Sequence, residues 1–279
     1  MAGLLAAGCA VGADKMNAVL TVPHELNMLI ESGHIQGACC SEQGIYLAHA
    51  HGLEKIGWDG RHLKHIDAPA HLGDIGYANG RIYGAFVLRK LPKGDPNPGM
   101  VRVWNEDLET VAEKRYPWNL DGAAVVGDTL YCGIDRWGRP EHAGAAILSL
   151  DLDLNVKGTN DVDFGFWIAY GVQTMATDGT DLYCCNYAGG KEHNPKRHNT
   201  ARLSRDLKVL STTYLRGAEG FGPVPKSIAK RDVPVFFAVR ALGGNMQGWR
   251  KDPKNNPPRI RIDFYELRGG EFVDITNRP

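Results

Sequence analysis

The pattern that most constrains the fold is an apolar residue followed by an aromatic one, which returns five times along the chain, each time just after a turn. The pairs are Ile45-Tyr46, Ile82-Tyr83, Leu130-Tyr131, Leu182-Tyr183 and a looser Val235-Phe236. The turns ahead of them are SEQG, ANG, VGD, TDGTD and KRD. Short strands joined by such turns are typical of β-hairpins. The sequence therefore predicts five copies of one hairpin.

A second hairpin follows the first in each copy. The segments alternate apolar and polar residues around a polar or glycine step, at 53–66, 101–115, 146–159, 201–214 and 260–275. Five units of four strands predict an all-β fold, a five-bladed β-propeller of four-stranded antiparallel blades. Small residues two positions after each aromatic would let the blades approach one another near the axis: Ala48, Ala85, Gly133, Cys185 and Ala238.

The predicted domain is a single propeller at 17–279, behind an N-terminal tail at 1–16. Residues 17–23 (NAVLTVP) are predicted to add an outer strand to the last blade, which closes the ring and covers a sheet edge. Of the 279 residues, 43% are hydrophobic, which is ample for a core of this size. Lys+Arg and Asp+Glu are both 32, so the charge balance argues against a nucleic-acid partner. No apolar run reaches the roughly 18–20 residues of a membrane span.

The tail at 1–16 leaves two interpretations open. AVGA (10–13) resembles a cleavage site, and LAAGC (5–9) resembles a lipobox in which Cys9 would be acylated as a lipid anchor. Against both, no Lys or Arg precedes the apolar run. An export signal of either kind predicts a periplasmic or secreted protein, and the alternative interpretation is a disordered tail on a cytoplasmic one. The pairs Cys39-Cys40 and Cys184-Cys185 lack CxxC spacing and are predicted to be small buried side chains on strands.

Polar residues recur about ten positions before the repeated aromatics. These are Gln36, Asp74, Asp121, Gln173 and Lys226, with Asp74 displaced by one position because its turn is shorter. In a propeller the first residues of the innermost strands meet at one mouth of the channel. We therefore expect a polar ring there, and convergent polar groups in a concavity are the usual form of a binding site. The alternative is a solvated ring that holds only water.

Loops that follow the second strand of each blade should open at the same mouth. These loops supply further substrate-binding candidates, and His34, two residues before Gln36, is another. The full set is His34, His49, Arg136, Trp137, Tyr187 and Arg240. Cations of this kind bind carboxylates and aromatic rings stack on sugars. The predicted partner is therefore a small polar molecule, such as a saccharide, a uronate or a peptide N-terminus.

The segments HIQG (34–37) and GDIGYANGRIYGAF (73–86) together resemble the first two blades of the bacterial and plant-type glutamine cyclotransferases. The resemblance implies a five-bladed propeller that closes an N-terminal glutamine into pyroglutamate. It also implies that Gln36 binds substrate, that Asp74 stands for the acid/base Glu, and that Lys226 matches a basic residue of the last blade. Two residues depart from the family. His34 replaces an aromatic residue, and Asp74 is one methylene shorter than Glu, a misplacement that can lower a rate about a hundredfold.

Four further interpretations follow from the residues. Asp74 and Asp121, on adjacent inner strands, are candidates for the carboxyl pair of a glycosidase. Lys226 or a histidine would instead serve a lyase as the base. No cofactor is expected, and the alternative is a divalent metal on His49 and His51, completed by His34 or Asp74. Finally, a propeller without catalysis would bind carbohydrate or protein; because the ring differs from blade to blade, one central site is favoured over five equivalent ones.

Overall fold

A computed structural model describes residues 19–21, 35–88, 98–134, 144–166, 168, 171–185, 198–215, 219–242 and 259–276. The first strand, Val19–Thr21 (β1), belongs to the last blade. Blade one consists of Ile35–Ser41 (β2), Gly44–His49 (β3), Gly52–Ile56 (β4) and His62–Asp67 (β5). Blade two consists of His71–Ala78 (β6), Arg81–Val87 (β7), Gly99–Asn105 (β8) and Thr110–Tyr116 (β9).

The remaining three blades follow in chain order. Blade three consists of Leu120–Val126 (β10), Thr129–Ile134 (β11), Gly144–Asp151 (β12) and Val156–Asp163 (β13). Blade four consists of Thr174–Thr177 (β14), Leu182–Cys185 (β15), Thr200–Leu203 (β16) and Val209–Thr213 (β17). Blade five consists of Gly220–Pro223 (β18), Val235–Leu242 (β19), Arg259–Arg268 (β20) and Glu271–Asp274 (β21), with the helix Lys226–Ala229 (α1) between β18 and β19.

The five sheets form a closed ring. Within each blade the strands pair antiparallel in chain order, so β2, β6, β10, β14 and β18 are the innermost strands. Each inner strand contacts the inner strand of the next blade, and β18 contacts β2. A row of five sheets that returns to its start is a five-bladed propeller, which confirms the fold predicted from the repeat.

The last blade is completed from both ends of the chain. One edge of β20 pairs with β19, and the other edge pairs with β1 at 259–261 and with β21 at 265–268. The outer strand predicted from residues 17–23 is therefore present, as Val19–Thr21. Backbone groups that an open edge would leave unpaired are paired along these stretches of β20. Within the described ranges, no helix has the length and apolar character that a membrane crossing requires.

The repeated aromatics fill the same place between successive blades. Tyr46 packs with residues of blade two and Tyr131 with residues of blade four, and both are buried. Their hydroxyls donate to backbone carbonyls in the outer turn of that next blade, at Glu106 (3.4 Å) and Arg205 (3.1 Å). Burying one such ring contributes roughly 1.5–3 kcal/mol, and a buried hydroxyl requires a partner. The recurrence of tyrosine in the sequence is thus explained by a recurring gap between blades.

Candidate functional site

Three β-bulges lie where the inner strands begin. The register of β2 shifts between Ile35 and Gly37, that of β6 between Leu72 and Ile75, and that of β10 between Leu120 and Ala123. Each bulge therefore includes one of the predicted ring residues: Gln36, Asp74 and Asp121. A bulge inserts one extra residue and redirects its side chain. In blade four, Gln173 immediately precedes β14, and its backbone N–H donates to the backbone carbonyl of Cys185.

Asp74 lies deepest of these residues and joins three blades. Its side chain is fully buried, and its Oδ2 accepts hydrogen bonds from the amides of Met175 (2.7 Å) and Ala123 (3.2 Å). Asp74 belongs to blade two, Ala123 to blade three and Met175 to blade four, so one carboxyl group ties their inner strands together. Oδ1 of Asp74 has no hydrogen-bond partner within the described part of the chain. Burial raises the pKa of this carboxyl well above its usual value, and the nearby Asp121 raises it further, against the lowering effect of the amides.

Glycines make room for the two carboxylates of the ring. A Cβ on Gly37 would lie 2.2 Å from Asp74 Oδ1, and a Cβ on Gly73 would lie 2.1 Å from Asp121 Oδ1. Each aspartate therefore rests against the glycine backbone of the preceding blade. The glycine in QGA and the glycine in LGD allow inner strands to approach this closely.

Gln36, Asp121 and Gln173 surround the entrance. Their exposed fractions are 6%, 5% and 9%, whereas Asp74 is at 0%. The structure thus brings together the predicted polar residues of blades one, three and four at one end of the axis, with Asp74 below them. Two side-chain amides offer donors and acceptors, and the carboxylate of Asp121 offers acceptors. Such a set can bind hydroxyl or ammonium groups.

Lys226 does not complete the ring. It is the first residue of α1, after the end of β18, and its side chain is exposed. The inner strands run in the same direction, so Lys226 lies at the end of the propeller opposite Gln36. The count of ten positions assumed a tight turn, but in blade five residues 224–234, including α1, connect β18 to β19. Gly220 also pairs with Val239 without a bulge, so blade five presents no equivalent extra residue.

The channel beyond the ring is narrow and mainly apolar. Its walls are the last parts of the inner strands, at 38–40, 75–77, 123–125, 175–177 and 221–223. The cavity between these walls has a volume of about 40 Å³. A cavity of this size has room for water molecules and not for a sugar. A ligand of that size would have to bind at the end where the inner strands begin.

Several predicted binding residues lie outside the described part of the chain: His34, Arg136, Trp137, Tyr187 and, in the tail, Cys9. Arg240 belongs to β19, but its side chain is not described. The connections that carry most of these residues leave the ends of β7, β11, β15 and β19. Those strands run opposite to the inner strands, so their ends lie at the entrance of the axis.

A second polar cluster surrounds the buried Glu54 of blade one. Its Oε1 lies 3.3 Å from His49 Nε2 and 2.5 Å from His65 Nδ1, and its Oε2 lies 2.8 Å from His62 Nε2. The other nitrogen of His65 lies 3.1 Å from Asp67 Oδ1. Three histidines from two strands thus contact one carboxylate on a third. Among the described residues, His49, Glu54 and His65 form a group whose ligand atoms all lie within 4.8 Å of one another, as a metal site requires.

The HxH pair predicted as a metal site is not brought together. β3 ends at His49, and His51 is an exposed residue of the following turn. The two residues therefore do not share a strand face, and Asp74, at the axis, is not a member of the metal-ligating group. Sequence reasoning missed Glu54, His62 and His65, although the predicted hairpin at 53–66 contained all three. The register of that hairpin, in which Glu54 pairs with His65, was the missing signal.

Comparison with known proteins gives no family. No protein-family profile matches the sequence, and no curated protein does. The chain is similar in structure to the WD40 domain of Neurospora crassa Pan2 (TM-score 0.46, 9% identity, covering 86% of this chain and 64% of that one). It is also similar to BamB of Moraxella catarrhalis (TM-score 0.38, 13% identity, covering 55% of this chain and 40% of that one). A third similar structure is a Bacteroides caccae protein of unknown function (TM-score 0.38, 14% identity, covering 64% of this chain and 80% of that one). The chain spans less than two thirds of the first two. Nothing in this likeness indicates a glutamine cyclotransferase specifically.

Proposed function

We propose that this chain is a binding propeller that takes one small polar ligand at the entrance of its axis, on Gln36, Asp121 and Gln173. The observation that carries the proposal is the gathering of these three buried polar side chains, from three blades, above a narrow apolar channel. Two of the three stand at β-bulges, which commonly redirect side chains at functional sites.

The donor set favours a ligand with hydroxyl or ammonium groups. Asp121 would pair with an ammonium group or accept from a hydroxyl, and the two glutamine amides would complete the polar contacts. A saccharide, a uronate and a peptide N-terminus all carry such groups. Because the residues differ between blades, the proposal is for one site and not for a repeated lectin pocket.

In this proposal Asp74 does not act as an acid or base. Its carboxyl group is fully buried, and Oδ2 is occupied by two backbone amides. A general base must reach the proton that it removes, directly or through one water. Glutaminyl-peptide cyclisation, glycoside hydrolysis and lyase chemistry would each require another group, so binding without catalysis is the function we propose.

The test is a thermal-shift screen with sugars, uronates and glutaminyl peptides, since a ligand that binds the folded state raises the apparent Tm. For a ligand found in this way, Asp121→Asn and Gln173→Ala should abolish the shift. Asp128→Asn and Gln43→Ala are matched controls, because both residues are exposed and lie in turns at the other end of the inner strands. Lys226→Ala should also leave the shift unchanged.

Two outcomes would overturn the proposal. One is a ligand shift that persists at full size in both entrance variants. The other is catalysis: if glutaminyl peptides are converted to pyroglutamate, and Asp74→Asn abolishes the conversion in a protein that is still folded, then the chain is an enzyme that uses Asp74.

A further inference from the structure

We propose that blade one carries a second site, independent of the entrance ring, that binds a divalent transition-metal ion, zinc by preference. The ligands are His49 Nε2, Glu54 Oε1 and His65 Nδ1. They stand on β3, β4 and β5, three neighbouring strands of one sheet. Two imidazoles and a carboxylate form a donor set that zinc accepts, and a fourth position would remain for water or a further ligand.

The separations are close to those that a tetrahedral ion needs. Zinc lies roughly 2.0–2.2 Å from nitrogen and oxygen ligands, so two ligands at a tetrahedral angle stand about 3.3 Å apart. His49 Nε2 and Glu54 Oε1 are already 3.3 Å apart. His65 Nδ1, at 2.5 Å from the same oxygen, would have to withdraw by about 0.8 Å by the same geometry. Its side chain is 23% exposed, which leaves room for this movement.

Two further side chains lie within hydrogen-bond distance of the proposed ligands, as the residues behind metal ligands usually do. Asp67 Oδ1 lies 3.1 Å from the nitrogen of His65 that would not bind the metal. His62 Nε2 lies 2.8 Å from the oxygen of Glu54 that would not bind it. Metal-ligating imidazoles and carboxylates usually have such partners, which fix their orientation. A histidine–carboxylate pair made only for folding would not need these partners on the far sides of His65 and Glu54.

The backbone leaves space for the two imidazole rings. Gly52 pairs with His49 across the β3–β4 turn, and a Cβ at this position would lie 2.6 Å from His49 Nε2 and 2.7 Å from His65 Cε1. The rings stack with their centroids 6.1 Å apart. Any side chain at position 52 would therefore push the two candidate ligands apart.

Burial gives the site its driving force. The side chains of His49 and Glu54 are each 3% exposed, and His49 Nδ1 has no hydrogen-bond partner within the described ranges. The side chains that hydrogen-bond to Glu54 in that part of the chain are the three histidines. A buried carboxylate is retained when it is paired or coordinates a metal. A divalent ion would supply the charge that lysine or arginine supplies elsewhere.

The experiment measures zinc stoichiometry and affinity on the full chain. Protein stripped with a chelator is dialysed against micromolar zinc and its metal content is determined by mass spectrometry, and affinity is measured by competition with a chromophoric chelator. We expect one zinc per chain. His65→Ala should weaken binding at least a hundredfold, and His62→Ala should weaken it about 10–100-fold, as loss of an outer partner does. Cobalt substitution should give the visible absorption of a four-coordinate site.

His51→Ala is the matched control, because His51 is exposed and close in sequence but is not part of the cluster. Its zinc content and affinity should equal those of the unmodified chain. Circular dichroism checks that each variant is folded; His62 and His65 are partly exposed, so their replacement should be tolerated even if Glu54→Gln unfolds the chain. The proposal is overturned if the unmodified chain retains no zinc, or if folded His65→Ala binds zinc as tightly as His51→Ala.

Discussion

Replacing Asp74 should destabilise the propeller as a whole, because this one side chain joins the inner strands of three blades. In Asp74→Ala the amides of Ala123 and Met175 lose their acceptor in a site without bulk water. A buried donor without a partner costs about 1–3 kcal/mol, so the two amides together predict a loss of about 2–6 kcal/mol. Domains are typically stable by only about 5–15 kcal/mol. The variant should therefore unfold at a much lower urea concentration.

Asp74→Asn separates the hydrogen bonds from the charge. An asparagine oxygen can still accept hydrogen bonds from both backbone amides. At neutral pH, Asp74→Asn should therefore lose much less unfolding free energy than Asp74→Ala. The pKa of Asp74 is raised by burial in the folded state. Between the unfolded pKa, about 3.9, and the raised folded pKa, the folded chain holds more protons than the unfolded chain. Its stability therefore falls as pH rises through this window, by up to about 1.4 kcal/mol per pH unit.

The assay is urea unfolding of the unmodified chain and both variants from pH 4 upward, with the midpoint and slope fitted at each pH. The difference between the unmodified chain and Asp74→Asn should shift in favour of asparagine as pH rises. The reasoning is refuted if Asp74→Ala loses less than about 1 kcal/mol, the lower limit for a single orphaned amide. It is also refuted if the difference from Asp74→Asn does not change with pH.

Two further predictions concern glycines and thiols. Gly37→Ala should cost about 3 kcal/mol or more, the upper end for overpacking, because its Cβ would meet both the carboxyl group and the backbone Cα of Asp74. Gly80→Ala, in open space at φ +73°, should cost only about 1–2 kcal/mol of backbone strain. Urea unfolding compares the two variants, and equal losses would contradict the close packing at the axis. Cys39, Cys40, Cys132, Cys184 and Cys185 are free and buried, and burial raises the pKa of the Cys185 thiol to about 12. A thiol reagent should therefore label no more than Cys9 in the native chain and all six cysteines in urea, and labelling of two or more native thiols would be the contrary result.

The fold could be predicted from the sequence because the repeat has a local cause. Tyr46 and Tyr131 recur since each fills the gap to the next blade and donates to a carbonyl in its outer turn. The turn at Asn79-Gly80 could be predicted as well, because both residues adopt positive φ, which this dipeptide tolerates in a tight hairpin. Such features depend on neighbours in the chain or on a regular spacing, and both are visible in one sequence.

The site could be predicted only in part, because depth and register are not periodic. The spacing located Gln36, Asp121 and Gln173 at one end of the axis, but not the full burial of Asp74, which depends on the missing side chain of Gly37 in another blade. Lys226 was misplaced by an insertion that a fixed count cannot detect. The contact between Glu54 and His65 depends on a hairpin register that shifts at Lys55/Ile56. A shift of one residue would have placed the two side chains on opposite faces of the sheet.

The shared edge of β20 also determines the order in which the ring can be completed. During synthesis, blades one to four can form as they emerge, whereas Val19–Thr21 has no sheet partner until Arg259–Arg268 has been made. Ring closure is therefore a late step that joins the most distant parts of the sequence, which slows folding. Since β1 and β21 lie on the same strand edge, a circularly permuted chain that links them and opens at the Asn79-Gly80 turn would retain every blade. Such a permutant would begin its synthesis with part of blade two and would not have to wait for its last strand to seal blade five.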